Sequence, residues 1–164
     1  MSDYLEKRAK EIESLGSGKT EYKYEYCPEV LETFENVHPE RDYWVTLNAD
    51  EFTSRCPKTN QPDFATIIVN YVPAIKMVES KSFKMYLFGF INNGEFHEDC
   101  MNTICKDLSK LMEPKYIEVI GLFYPRGNVS IHPTAYYNNG EQKYIELEKH
   151  RFMNKSMSME KYNG

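Results

Sequence analysis

Cys56 has the clearest capacity for chemistry in the chain. It stands in the polar run Asp50-Glu51-Phe52-Thr53-Ser54-Arg55-Cys56-Pro57-Lys58-Thr59-Asn60-Gln61-Pro62-Asp63, away from any apolar stripe that would bury it. A free thiol has a pKa of about 8.5, so only a few per cent is thiolate at pH 7 unless its surroundings lower it. Arg55 and Lys58 flank it and would favour the thiolate. Asp63 follows directly after Pro62 and opens a β-rich run. A carboxyl group there is either a turn cap or an acid–base group. The second role needs burial or a nearby negative charge, such as a Cys56 thiolate, to keep a proton near neutral pH. A thiolate beside a proton donor suits covalent attack on an electrophilic carbon.

Two more groups open helices. Val78-Glu79-Ser80-Lys81-Ser82-Phe83-Lys84 places hydroxyls and lysines where free N–H and ammonium groups suit phosphates, although a solvated first turn is the plainer reading. In His97-Glu98-Asp99-Cys100, the spacing of His97 and Cys100 allows two metal ligands, with Cys56 as a third. Equally, Glu98 can hold a guanine-like edge, because a carboxylate accepts two N–H donors side by side. Spacing does not separate the two. Cys105 falls on an apolar helical stripe and reads as core. Cys100 is placed to bridge Cys56 under oxidation if their Cα atoms lie within about 7 Å. Gly18-Lys19-Thr20 mimics the end of a phosphate-binding loop, but Glu13 stands where that motif needs glycine, so it reads as linker.

The elements that must position these residues follow an α+β order. Residues 42–47 alternate as a strand, with Tyr43, Val45 and Leu47 on one face, and residues 50–63 read as a long loop. Residues 64–72 form a near-continuous apolar strand closed by Pro73. Phe83, Leu87, Phe90 and Ile91 share a helical face, with Ser80 or Ser82 as cap, and Asn92-Asn93-Gly94 breaks that helix. The next helix starts near residues 95–99, carries Met101, Ile104, Cys105, Leu108, Leu111 and Met112, and stops at Pro114. Residues 116–124 alternate as a strand, and Val129 and Ile131 suggest its partner after the turn Pro125-Arg126-Gly127. The rest is polar, with helix expected around residues 143–153.

The chain of 164 residues suggests one domain: a flexible extension over residues 1–21 and a single catalytic domain over 22–164. With 41% hydrophobic residues there is material for a core, and a net charge of −5 argues against general nucleic-acid binding. No stretch approaches the roughly 20 apolar residues of a membrane span. The charged start MSDYLEKRAK lacks the apolar centre of a signal peptide, so a cytoplasmic location with free thiols is expected.

Taken in order, residues 52–63 around Cys56-Pro57-Lys58-Thr59, then Glu79-Ser80-Lys81-Ser82-Phe83-Lys84-Met85-Tyr86, Phe96-His97-Glu98 and Pro125-Arg126-Gly127 form a set. On these motifs the chain resembles the 7-cyano-7-deazaguanine reductases, the NADPH-dependent nitrile reductases of queuosine biosynthesis, in their short single-module form. The likeness covers roughly residues 22–155. It implies a tunnelling fold (T-fold): an antiparallel four-stranded sheet with two helices on one face, its subunits joining into barrels. It implies that Cys56 adds to the nitrile carbon to give a covalent thioimide and that Asp63 donates the proton. His97 and Glu98 would recognise the substrate, as would Val78, Glu79 and Ser80. Lys81, Lys84 and Arg126 would meet the phosphates of NADPH, and no metal is required. Arg55, at a position usually apolar, and Asn128, where a second glycine commonly stands, depart from the family pattern. Two rival readings are a zinc hydrolase of the GTP cyclohydrolase type using Cys56, His97 and Cys100, and a non-catalytic purine-binding module. A chain this short, without Gly-x-Gly-x-x-Gly, cannot enclose a purine, NADPH and a shielded imine alone. Active sites at the subunit interfaces of a homo-oligomer are therefore expected. The substrate would be the free base, with no direct nucleic-acid or membrane partner.

Overall fold

The structure, a computed structural model, describes residues 22–155. The linker reading of residues 1–21 lies outside the described residues. Among the described residues, six strands and three α-helices follow in the order β1 (Thr33–Glu35), β2 (Val45–Arg55), β3 (Pro62–Val72), β4 (Lys76–Val78), α1 (Ser80–Phe88), α2 (His97–Met112), β5 (Tyr116–Phe123), β6 (Thr134–Asn138) and α3 (Gln142–Met153). The main sheet is antiparallel and four-stranded in the order β2-β3-β5-β6, and β1 pairs with β4 in a separate ribbon. The expected α+β class and four-stranded antiparallel sheet are both present.

The pleat sorts the side chains. Odd-numbered residues of β3 and β5 (Ala65, Ile67, Val69, Tyr71, Ile117, Val119 and Phe123) are buried against α1 and α2. The expected stripe of α2 is buried at Met101, Ile104, Cys105, Leu108 and Met112. On the opposite face Val72 and Tyr116 pack with Tyr144 of α3, the helix expected around residues 143–153, so a third helix joins the two implied by the resemblance. Arg151 of α3 also pairs with the buried Glu118, which accepts from its Nε at 3.0 Å. No helix among the described residues is long and apolar enough to cross a membrane.

Three expectations need correction. Residues 50–55 are strand, not loop. Ala49 pairs with Ile67 but Phe52 with Ala65, so one extra residue bulges out of β2 and reverses which parity faces inward. The polar side chains at the bulge face solvent, which hides the strand from any pattern search. The partner of β5 is β6, not residues 129–131. Val129 only bridges back to Arg126, and Val129 and Ile131 are exposed. The α1 cap is also neither Ser80 nor Ser82. The buried Glu79 carboxylate accepts the N–H groups of Lys81 and Ser82 at 2.9 and 2.7 Å.

Candidate active site

The bulge in β2 turns Ser54 inward, opposite Asp63 in the β2–β3 register, so the hairpin brings the Cys56 and Asp63 regions together. The connecting loop spans residues 56–61 and is held at both ends. Cys56 N–H donates to the Gln61 carbonyl, and Asn60 N–H donates to the Cys56 carbonyl, both at 2.9 Å. Asn60 adopts φ +57°, a left-handed conformation that asparagine tolerates better than most residues. Arg55 braces the loop from outside. Its Nη1 donates to the Asn60 carbonyl at 3.2 Å and its Nε to Asn92 Oδ1 at 3.4 Å. Its backbone N–H also reaches the Asn93 carbonyl at 3.1 Å, fixing the start of α2 to the end of β2.

The Cys56 thiol is lowered to about 7, first by a hydrogen bond from the Thr59 side chain, then by the N–H groups of Thr59 and Lys58, and also by the Arg126 guanidinium. Neither expected flanking charge acts as such: Lys58 contributes through its backbone, and Arg55 is occupied by the loop. Asp63 is buried and is tied to the thiol's loop through Arg126. Its Oδ1 accepts from Arg126 Nη1, and Arg126 Nη2 donates to Gln61 Oε1 at 3.1 Å. Its Oδ2 lies 3.2 Å from His97 Nε2 without an aligned donor, so this is a close contact and not a full hydrogen bond. His97 opens α2 and lies flat on Phe123 at the end of β5.

Buried polar atoms are normally paired, and exceptions mark sites of special use. Among the described residues such exceptions are Asp63 Oδ2, His97 Nδ1, Asn93 Nδ2, Glu95 Oε2 and Ser54 Oγ. Ser54 does have the Cys100 thiol beside it. All five belong to the end of β2, the start of β3 or the approach to α2. They leave acceptors and donors ready for a polar ligand next to an activated thiol. Sequence reading did not single out Ser54, Thr59, Asn93, Glu95 or Phe123. Only the hairpin parity and the docking of the segment before α2 bring them here.

Arg126 sits in a tight turn. It exchanges backbone hydrogen bonds with Val129, and Gly127 and Asn128 have φ of +57° and +66°. Positive φ at both central positions defines a type I′ turn, which accepts asparagine as well as glycine, so the departure at Asn128 leaves the turn intact.

The remaining predicted residues lie apart. Glu98 is exposed on the first turn of α2. Val78 and Glu79 are buried at the end of β4 and the cap of α1, while Ser80 is exposed. Because Glu79 occupies the helix N-terminus, the first turn of α1 does not offer those N–H groups to a phosphate. Ser80 and Lys84 line a groove of about 700 Å³ between α1 and β2, whose wall includes none of Cys56, Asp63, His97 or Arg126. The chain runs the length of β3, roughly 30 Å at the usual rise, between Asp63 and the ribbon that leads to α1. Lys81 belongs to the same first turn.

All four cysteines are free. Burial pushes the Cys100 thiol up to about 12 and the Cys105 thiol up to about 11. Among the described residues no three His, Cys, Asp or Glu side chains converge as a metal site. His97 faces Asp63 and Cys100 faces Ser54, so the suggested ligand set of Cys56, His97 and Cys100 is not assembled within one chain.

Comparison with known proteins adds the following. A family model described as QueF-like protein matches residues 62–143. A relative from Bacteroides fragilis (strain YCH46), named NADPH-dependent 7-cyano-7-deazaguanine reductase, is 61% identical over 145 residues, covering 88% of this chain and 96% of its own. A relative of the same name from Bacillus mycoides (strain KBAB4) is 53% identical over 164 residues, covering 100% of this chain and 99% of its own. Among solved structures, the apo form of the archaeosine synthase QueF-Like has a similar fold, with a TM-score of 0.55 at 21% identity over 59% of this chain and 94% of that one.

Proposed function

The chain belongs to the family of NADPH-dependent 7-cyano-7-deazaguanine reductases, and on that premise we propose that Cys56 is its nucleophile and Asp63 its proton donor. It is an oxidoreductase that reduces the nitrile of 7-cyano-7-deazaguanine to the aminomethyl group at the expense of NADPH, a step of queuosine biosynthesis. The observation that carries the assignment of roles is the activated Cys56 thiol on the same hairpin as a buried carboxylate with one oxygen unpaired, with Arg126 reaching both strands' ends.

A nitrile is a poor hydride acceptor. The Cys56 thiolate forms a bond to its carbon while a π pair moves to nitrogen, and Asp63 supplies the proton that makes a neutral thioimide. His97 Nε2 lies 3.2 Å from Asp63 Oδ2 behind it, and closure of the site by bound substrate and cofactor would keep water from the later imine. Two NADPH molecules, bound one after the other, would each supply one of the two hydrides that take the nitrile to the amine. The groove beside α1 suits its phosphates through the ammonium group of Lys84, with Lys81 and the Ser80 hydroxyl on the same turn, although Asp50 and Glu51 also line it. Glu98, exposed at the start of α2, accepts the N–H groups of the guanine-like edge.

The separation of the Ser80 stretch from Cys56 within one chain supports a site completed by a neighbouring copy. So do the two edges of the main sheet that are open among the described residues, β2 and β6: pairing β2 of one copy with β6 of the next would join sheets into the barrel of a T-fold. The protein then acts as a cytoplasmic homo-oligomer on the free base. The test is loss of NADPH absorbance with 7-cyano-7-deazaguanine as the only added substrate. Cys56→Ala should abolish both turnover and the covalent adduct seen by mass spectrometry, and an intact adduct in that variant would overturn the assignment.

A further inference from the structure

Arg126 is expected to meet a cofactor phosphate, but its guanidinium is already engaged on two sides. Nη1 donates to Asp63 Oδ1 and Nη2 donates to Gln61 Oε1 at 3.1 Å, while the Gln61 carbonyl accepts the Cys56 N–H at 2.9 Å and the guanidinium favours the Cys56 thiolate. Such a planar fork can hold several acceptors in fixed directions, which a lysine ammonium cannot reproduce. The type I′ turn at Gly127 and Asn128 sets the direction from which it enters. We infer that Arg126 is a positioning residue: its guanidinium holds the Cys56 sulfur as the reacting thiolate and grips Asp63 by Oδ1, leaving Oδ2 to serve the substrate nitrogen.

This rests on the reading of Cys56 as nucleophile and Asp63 as proton donor, and it explains how the pair stays balanced. For the step to balance, attack begins with the negative charge on the Cys56 sulfur and the transferable proton on Asp63. The sulfur lone pair then forms the S–C bond, one π pair of the nitrile moves to nitrogen, and the proton passes from Asp63 to that nitrogen. Afterwards the thioimide is neutral and the charge is on Asp63. Both states present one anion to the same guanidinium, so the charge moves between two partners of Arg126 while it keeps its place.

The charged and titratable groups around the thiol are few. Arg126 enters from the turn after β5, Asp63 from β3, and His97 from α2 behind Asp63, while Arg55 and Lys58 belong to the thiol's own hairpin. Among these, the guanidinium of Arg126 is the side-chain charge that lowers the thiol.

The experiment follows iodoacetamide labelling of Cys56 against pH in the free enzyme, read by peptide mass spectrometry, for wild type, Arg126→Met and Arg126→Lys. The wild-type midpoint should lie near 7. In Arg126→Met it should rise by about half to one pH unit, because Thr59 and the loop N–H groups remain, so labelling at pH 7 slows roughly two- to fivefold. Labelling at high pH, where every thiol is ionised, should be unchanged. Arg126→Lys keeps the charge without the fork and should fall between, and it serves as the folded control if Arg126→Met is unstable. Midpoints unchanged in the folded variants, with only the KM for NADPH raised, would overturn the inference in favour of a phosphate anchor. If instead wild type forms no adduct with the nitrile, the nucleophile reading fails, and the labelling midpoints still report on Arg126.

Discussion

The imidazole of His97 lies flat on the ring of Phe123, with centroids 3.9 Å apart and planes within 9°, and this shelf aims Nε2 at Asp63 Oδ2. The relationship links the last residue of β5 to the first of α2, and through them the core to the site. It also accounts for a fully buried phenylalanine at the end of an apolar strand beside the most polar part of the molecule.

Phe123→Leu should therefore separate packing from aim. The swap keeps the core nearly filled, at a cost under about 1.5 kcal/mol. It removes the flat support of His97, and misplacing a group at the site costs about tenfold to a hundredfold in kcat/KM. A thermal melt paired with steady-state kinetics checks this. A lowered melting temperature with unchanged kcat/KM would reduce Phe123 to a core residue.

The cysteines should react in a fixed order. With Cys56 lowered to about 7 and Cys100 and Cys105 raised to about 12 and 11, one equivalent of iodoacetamide at pH 7 should modify Cys56 and abolish turnover. Cys27, raised above its ordinary value by burial and by the Glu29 carboxylate, should label later. Peptide mapping after partial labelling checks the order, and substrate added first should protect Cys56. Modification of Cys100 ahead of Cys56 in folded protein would contradict the burial that sets this order.

Much of this site could be read in the sequence because a hairpin makes sequence neighbours spatial neighbours. Cys56 and Asp63 fall on either side of one turn, and His97 sits at a helix start that its own sequence announces. What could not be read depended on contacts between distant segments. The role of Arg126 requires β5 to lie beside β3. The bulge after Ala49 requires β3 as its template, since the polar residues at 50 and 51 look like loop until the strand beside them is known. The strand β6 escaped notice because Ala135 is its one fully buried residue, whereas the β-branched Val129 and Ile131 drew attention to an exposed turn. The cap of α1 is hidden for a different reason. Serines are the usual caps, but here a buried glutamate takes the N–H groups of the first turn.

If neighbouring copies complete one another's sites, two inactive variants should rescue each other. Cys56→Ala lacks the nucleophile, and Ser80→Tyr places bulk on the exposed first turn of α1 without touching the hairpin. After equal mixing and subunit exchange, about a quarter of the sites should combine an intact Cys56 with an intact Ser80 from another copy, as random assembly of a symmetric oligomer requires. NADPH consumption by the mixture checks it. No recovery despite exchange verified by native mass spectrometry would put the whole site in one chain.

The C-terminal helix should loosen in acid. Asp42 accepts from Lys143 of α3, from the Tyr144 hydroxyl at 2.7 Å and from Lys115 at 3.0 Å, and these bonds, Lys143 first, hold its carboxyl well below the usual range. A carboxyl depressed on folding stabilises the fold above its unfolded pKa of about 3.9, and that stabilisation is lost as pH falls through the folded value. The pair is partly exposed, so its contribution is modest and falls with added salt. Amide exchange of Gln142–Met153, corrected for its intrinsic pH dependence, should therefore show full protection near pH 6 and less near pH 3. Asp42→Asn should show the reduced protection at both, while the Arg151–Glu118 pair keeps the far end of α3 attached. Equal protection of wild type and Asp42→Asn near pH 6 would mean that Arg151 and the packing of Tyr144, without Asp42, hold the helix.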